Sequence, residues 1–148
     1  MDRLETDELA QLVAARLECL SQLRTLGARQ LELAASGDLT ALLRVLAGKQ
    51  RLLMRLQGLE AELAPFRDQP PEGRVWRTPA DRQRCARMAE LCTALLAEIL
   101  EQERQSEHQL QTRRDEASAQ LQSMHRAGQA FDAYGAAHQA PARLHPGG

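Results

Sequence analysis

Residues 36–65 read SGDLTALLRVLAGKQRLLMRLQGLEAELAP, and this stretch decides the fold. Its leucines fall on a seven-residue repeat. Leu39, Leu46 and Leu53 occupy one position, Leu42, Leu56 and Leu63 the other, and Lys49 and Glu60 interrupt it. An apolar repeat of 3.5 residues keeps one seam of a helix turned towards its partner and favours left-handed coiled-coil packing. Gly37 suits the left-handed position that closes a helix, and Asp38 suits the N-cap of the next. Pro65 ends the segment, because the residue before a proline is pushed out of the α region. The segment is therefore predicted as a helix over about 39–64.

Similar helices flank it. Leu9, Leu12, Val13, Leu17, Leu20, Leu23, Leu31 and Ala34 recur at threes and fours, which predicts a helix over about 4–35. Asp2 and Glu5 have capping-box spacing at its start. Gly27 lies in the stripe, either as a point of close helix approach or as a tolerated defect. After a connection with Pro65, Pro70, Pro71 and Gly73, Thr78 is a candidate N-cap. Pro79 fits the first helical position, and Asp81 favours the positive end of the helix dipole. From there Met88, Cys92, Leu95, Ile99, Ser106, Leu110, Ala117, Leu121, Met124 and Phe131 form one stripe with a step near 3.6. A helix over 79–134 would be roughly 80 Å long. Glu103 and Ser106 weaken the middle of its stripe, where looser or partner-dependent packing is expected. Residues 135–148, rich in Gly, Ala, Pro and His, read as a disordered tail.

The expected fold is all-α: long antiparallel helices in a coiled-coil-like bundle, one domain over 1–134. It is either three helices or one long hairpin kinked near Gly37.

Composition agrees. The chain has 148 residues, a net charge of −1 and four aromatic residues, Phe66, Trp76, Phe131 and Tyr134. Leucine and alanine supply about a third of it, as in long helices and coiled coils. The near-zero charge argues against a nucleic-acid or anionic-membrane binder. No apolar run approaches the roughly 18 residues of a membrane span. The first residues lack a signal-peptide pattern. Cys19, Cys85 and Cys92 lack metal or redox spacing and read as small buried hydrophobes in a reducing cytosol.

Enzymatic signatures are missing too. Gln105 and Gln122 stand where a Glu-x-x-His motif would need glutamate before His108 and His125. Gly48-Lys49 lacks the upstream glycine of a phosphate loop. Glu98, Glu101, Glu103 and Glu107 read as a solvated acidic face. No cofactor, metal site or catalytic residue is expected. Arg74, Arg77, Arg82, Arg84 and Arg87 surround Trp76, either as a docking patch for an acidic partner or as a solvated face with Trp76 packed across helix ends.

Such a chain works by contact. Met and aromatic residues on a helix face suit recognition of a partner helix, so Leu121, Met124, Phe131 and Tyr134 are candidates. The alternative is that they pack on Leu9 to Leu20 within the monomer or a homodimer.

The layout also resembles the FlgN family of flagellar type III export chaperones, over about residues 5–134. The resemblance is carried by Gly37-Asp38-Leu39, Leu42-Leu43, Lys49-Gln50, Leu53 and Leu56, the proline-containing loop, the long last helix and Tyr134 near its end. It implies a cytoplasmic, non-enzymatic chaperone that binds the terminal helices of hook–filament junction proteins and delivers them to the export gate. By position it implies Leu110, Leu121, Met124 and Phe131 as the substrate contact and Tyr134 for gate docking. The other reading of the residues is a coiled-coil stalk or scaffold of the export apparatus or another cytosolic assembly.

Overall fold

The computed structural model describes residues 2–143, with side chains as far as Ala136. The described residues form three α-helices, α1 (Glu5–Ser36), α2 (Leu39–Arg67) and α3 (Pro79–Arg143), with one 3₁₀ turn at Pro71–Gly73. The all-α bundle expected from the leucine seam is what the protein adopts. The chain divides into two compact units, Met1–Glu107 and His108–Gly148, with the boundary inside α3. The sequence reading draws a single domain over 1–134.

The first unit packs α1, α2 and the part of α3 up to Glu107. Gly37 turns the chain rather than kinking it. It sits at φ 80°, its N–H donates to Leu33 O at 3.0 Å, and the Asp38 carboxylate accepts from the Ala41 N–H at 3.1 Å. Arg16 then meets Glu60, Cys19 meets Leu52 and Gln30 meets Lys49, so α1 and α2 run antiparallel. Val13 meets Cys92, Arg24 meets Glu98 and Gln30 meets Ser106, so α1 and α3 run parallel. Both start at the same end of the bundle. There Thr6 Oγ1 donates to Val75 O at 2.7 Å, and Arg77 donates to both oxygens of Asp7.

Two helix ends depart from expectation. Asp7, not the Asp2 and Glu5 pair, caps α1, accepting from the Leu4 N–H at 3.0 Å. Pro65 does not end α2, which continues to Arg67. A proline this late removes one hydrogen bond from a turn already near its end. Arg74 donates to Phe66 O at 2.6 Å and holds that turn. The cap of α3 is as expected, with the Asp81 N–H donating to Thr78 Oγ1 at 3.1 Å. α3 also continues past 134 to Arg143, since one glycine, at position 135, costs a helix only about 1 kcal/mol. Residues 144–148 of the expected tail, with His145, lie outside the described residues.

The core centres on Cys19 and Leu20, both with no exposure, surrounded by Leu9, Leu12, Val13, Leu23, Leu59, Leu63, Cys85, Cys92, Leu95 and Ile99. On α2 the inward positions are Leu42, Val45, Lys49, Leu52, Leu56, Leu59, Leu63 and Phe66. One half of the expected seam is therefore right. The other half, Leu39, Leu46 and Leu53, is exposed together with Leu43 and Met54. Leucines stand on more than one heptad position of α2, so period alone does not choose between them.

Polar partners do choose. Lys49 is 8% exposed; its Nζ donates to Gln30 Oε1 at 2.7 Å and pairs with Glu103. Gln30 also donates to Ser106 Oγ at 3.3 Å. The breaks in the two apolar stripes, Lys49 on α2 and Glu103 with Ser106 on α3, thus meet in one layer. Gly27 is a point of close approach: a Cβ there would lie 2.8 Å from Gln102 Cδ, and the Gln102 amide already donates to Arg24 O at 2.9 Å.

The core and this layer each give a test. Burial pushes the Cys19, Cys85 and Cys92 thiols up. A water-soluble disulfide reagent should leave all three intact in the native protein and titrate all three after denaturation; fast native reaction of Cys19 would contradict the packing. Glu103→Ala leaves a buried ammonium with one neutral acceptor and should cost about 1–3 kcal/mol in chemical denaturation. The double variant Lys49→Met with Glu103→Leu should stay within about 1 kcal/mol of the parent, because apolar side chains replace both members of the pair. A Glu103→Ala variant as stable as the parent would remove the layer from the account.

Candidate partner-binding face

The five residues singled out from sequence, Leu110, Leu121, Met124, Phe131 and Tyr134, all belong to α3 in the second unit. All are exposed, from 52% at Leu110 to 75% at Phe131. At 100° per residue, Leu110, Ala117, Leu121, Met124, Gly128 and Phe131 share an arc of about 80°. Tyr134 lies about 60° further round. The helix thus presents an apolar strip with Leu, Met and Phe at its centre and tyrosine at its margin. Small residues alternate with the large ones. A Cβ built at Gly128 would meet nothing within 4 Å, so the strip has an open dip between Met124 and Phe131. Arg113, Arg114, Asp115 and Glu116 are exposed and carry both signs of charge. Gln111 donates to Asp115 Oδ1 at 3.1 Å, an i,i+4 contact along the helix surface.

In the first unit, Leu9, Val13 and Leu20 belong to the core, which α3 completes with Cys85, Cys92 and Leu95. Of the acidic residues expected to form one face, Glu98 pairs with Arg24, Glu101 with Arg104 and Glu103 with Lys49. His108 and His125 are exposed. Among the described residues no three His, Cys, Asp or Glu side chains gather as a metal group, and no helix is long and apolar enough to cross a membrane.

The arginines near Trp76 divide by role. Arg77 is clamped to Asp7 and holds its carboxyl below the usual range. Arg84 pairs with Asp81, and Arg74 reaches the α2 terminus. Trp76 packs against the core, as one of the two readings expected. Nearby, Glu60 sits between Arg16 and Arg67. Burial raises the Glu60 carboxyl, but hydrogen bonds from Arg67 and Arg16 outweigh it and leave the carboxyl below its ordinary value.

A group held lower in the folded state than in the unfolded chain stabilises above the unfolded value, about 4.3 for glutamate. That contribution fades as pH falls through the folded value. Glu60→Gln should therefore be less stable than the parent at pH 7, with the gap closing at a pH well below the unfolded value. Denaturation midpoints at both pH values check this, and a gap independent of pH would contradict it.

Sequence reasoning missed the Lys49 layer and the exposed leucines of α2. The matching interruptions at Lys49 and Glu103 were the available signal for the layer. Comparison with protein-family models, with curated proteins and with solved structures finds no match for this chain.

Proposed function

We propose that the protein is a cytoplasmic, non-enzymatic export chaperone of the FlgN type. It binds the terminal helices of hook–filament junction proteins along the apolar strip of α3 and delivers them to the type III export gate. The observation that supports this reading is the exposure of Leu110, Leu121, Met124 and Phe131 along one side of a helix.

Covering one such side chain yields about 1.5–3 kcal/mol before the costs of association and ordering. The partner helix lays its own apolar side chains along the strip, with room at Gly128 for a bulky one. Tyr134 lies at the margin of the strip, and the resemblance assigns it to gate docking.

Calorimetric titration with the C-terminal helical segment of a junction protein tests the reading. Saturable one-to-one binding is expected. The double variant Leu121→Glu with Met124→Glu should lose it while keeping parental helicity and melting temperature, because neither residue is in the core. Tyr134→Ala should keep binding and lower junction-protein secretion. Unchanged binding by the double variant would remove the strip from the mechanism.

A further inference from the structure

We propose that the cleft where the bundle meets the 68–78 connection is a second docking site. It takes an acidic segment of another protein that carries one large apolar side chain. The cleft has a volume of about 390 Å³, and Leu63, Phe66 and Trp76 form part of its apolar lining. Four arginines also line it: Arg16 from α1, Arg67 from the end of α2, Arg74 from the connection and Arg82 from the first turn of α3.

Among the described residues no carboxylate lines the cleft. Glu60 alone pairs with two of the four arginines. Arg74 has a backbone acceptor for one nitrogen, but its buried Nε has no hydrogen-bond partner. Arg82 has no ion pair among the described residues. Among the described residues one carboxylate, Glu60, is shared by Arg16 and Arg67 and none pairs with Arg74 or Arg82, so the cleft carries surplus positive charge; carboxylates offset it, since arginine forks match their geometry.

The mixed lining selects a peptide. A cleft lined by arginines and by Leu63, Phe66 and Trp76 suits a chain that carries carboxylates beside an apolar anchor better than a purely anionic group. The volume is at the small end of ligand clefts and suits one large side chain as the anchor. Residues 137–148 do not fit, because they contain no acidic side chain and do contain Arg143. The site uses no residue of the α3 strip, so it stands or falls independently of the export reading.

Trp76 is the single tryptophan and lines the cleft, which makes it a reporter. The full chain is titrated with a capped pentapeptide of two glutamates, a phenylalanine and two glutamates, followed by Trp76 emission and by calorimetry. Saturable binding is expected, weakening as salt rises. Arg82→Glu, an exposed substitution whose fold is checked by circular dichroism, should weaken it roughly tenfold or more, a loss on the scale of one charge-assisted contact. Replacing the phenylalanine by alanine should weaken it similarly. The Leu121→Glu, Met124→Glu double variant should bind the peptide like the parent. Absence of binding by both methods overturns the proposal. So does equal affinity for a peptide with lysines in place of glutamates, or binding to inorganic phosphate or anionic phospholipid vesicles in preference to the peptide.

Discussion

Lys49 is the side chain on which the arrangement depends. A bundle with seams made mostly of leucine buries similar area if one helix slides along another, so apolar packing alone leaves its register weakly defined. A buried ammonium removes that freedom. It is satisfied only where Gln30 of α1 and Glu103 of α3 stand opposite. Such a layer adds little net stability compared with an apolar one, and its effect is to single out one packing. The Arg16–Glu60–Arg67 group and the Asp7–Arg77 clamp repeat the device towards the other end of the bundle. Between these ties Cys19, Leu20, Leu23 and Cys92 fill the interior.

The first unit thereby completes its own core by residue 107. Its seam on α3 ends in polar side chains, with Glu103 bound to Lys49 and Ser106 bound to Gln30. From His108 onward the described side chains are almost all exposed, yet an apolar strip persists there. Ala, Gln, Glu and Arg along this stretch are good helix formers and explain the helix. They do not explain why Leu110, Leu121, Met124 and Phe131 share a side. On the function proposed above a partner helix covers them, the natural complement to a strip of helical period.

Much of this was legible because it is local. Gly37 with Asp38, and Thr78 with Pro79 and Asp81, act within a few residues, and each forms the cap its residue types imply. The α3 stripe of Met88, Cys92, Leu95 and Ile99 was readable because one apolar face repeats over three turns there, although Leu91 and Leu100 lie off it and are exposed. Non-local choices were not readable. α2 carries leucines on several heptad positions, and the decision for Val45, Leu52 and Leu59 over Leu39, Leu46 and Leu53 rests on where Lys49 and Glu60 find partners 19 to 54 residues away in sequence. Pro65 misled for a related reason, since a contact from Arg74 sustains the final turn. The candidate residues of α3 were legible as a strip. Their exposure was not, because period reports which residues share a face and not whether a partner covers it.

Hydrogen exchange of the full chain, alone and with the C-terminal helical segment of a junction protein, tests the central claim most directly. Without the segment, amides of 5–36, 39–67 and 79–107 should be protected, whereas those of 110–134 exchange fast, as helix with little packing does. With the segment, new protection should appear and be confined to 110–134. New protection on α1 or α2 with none on 110–134, or no new protection at saturating segment, would contradict the account.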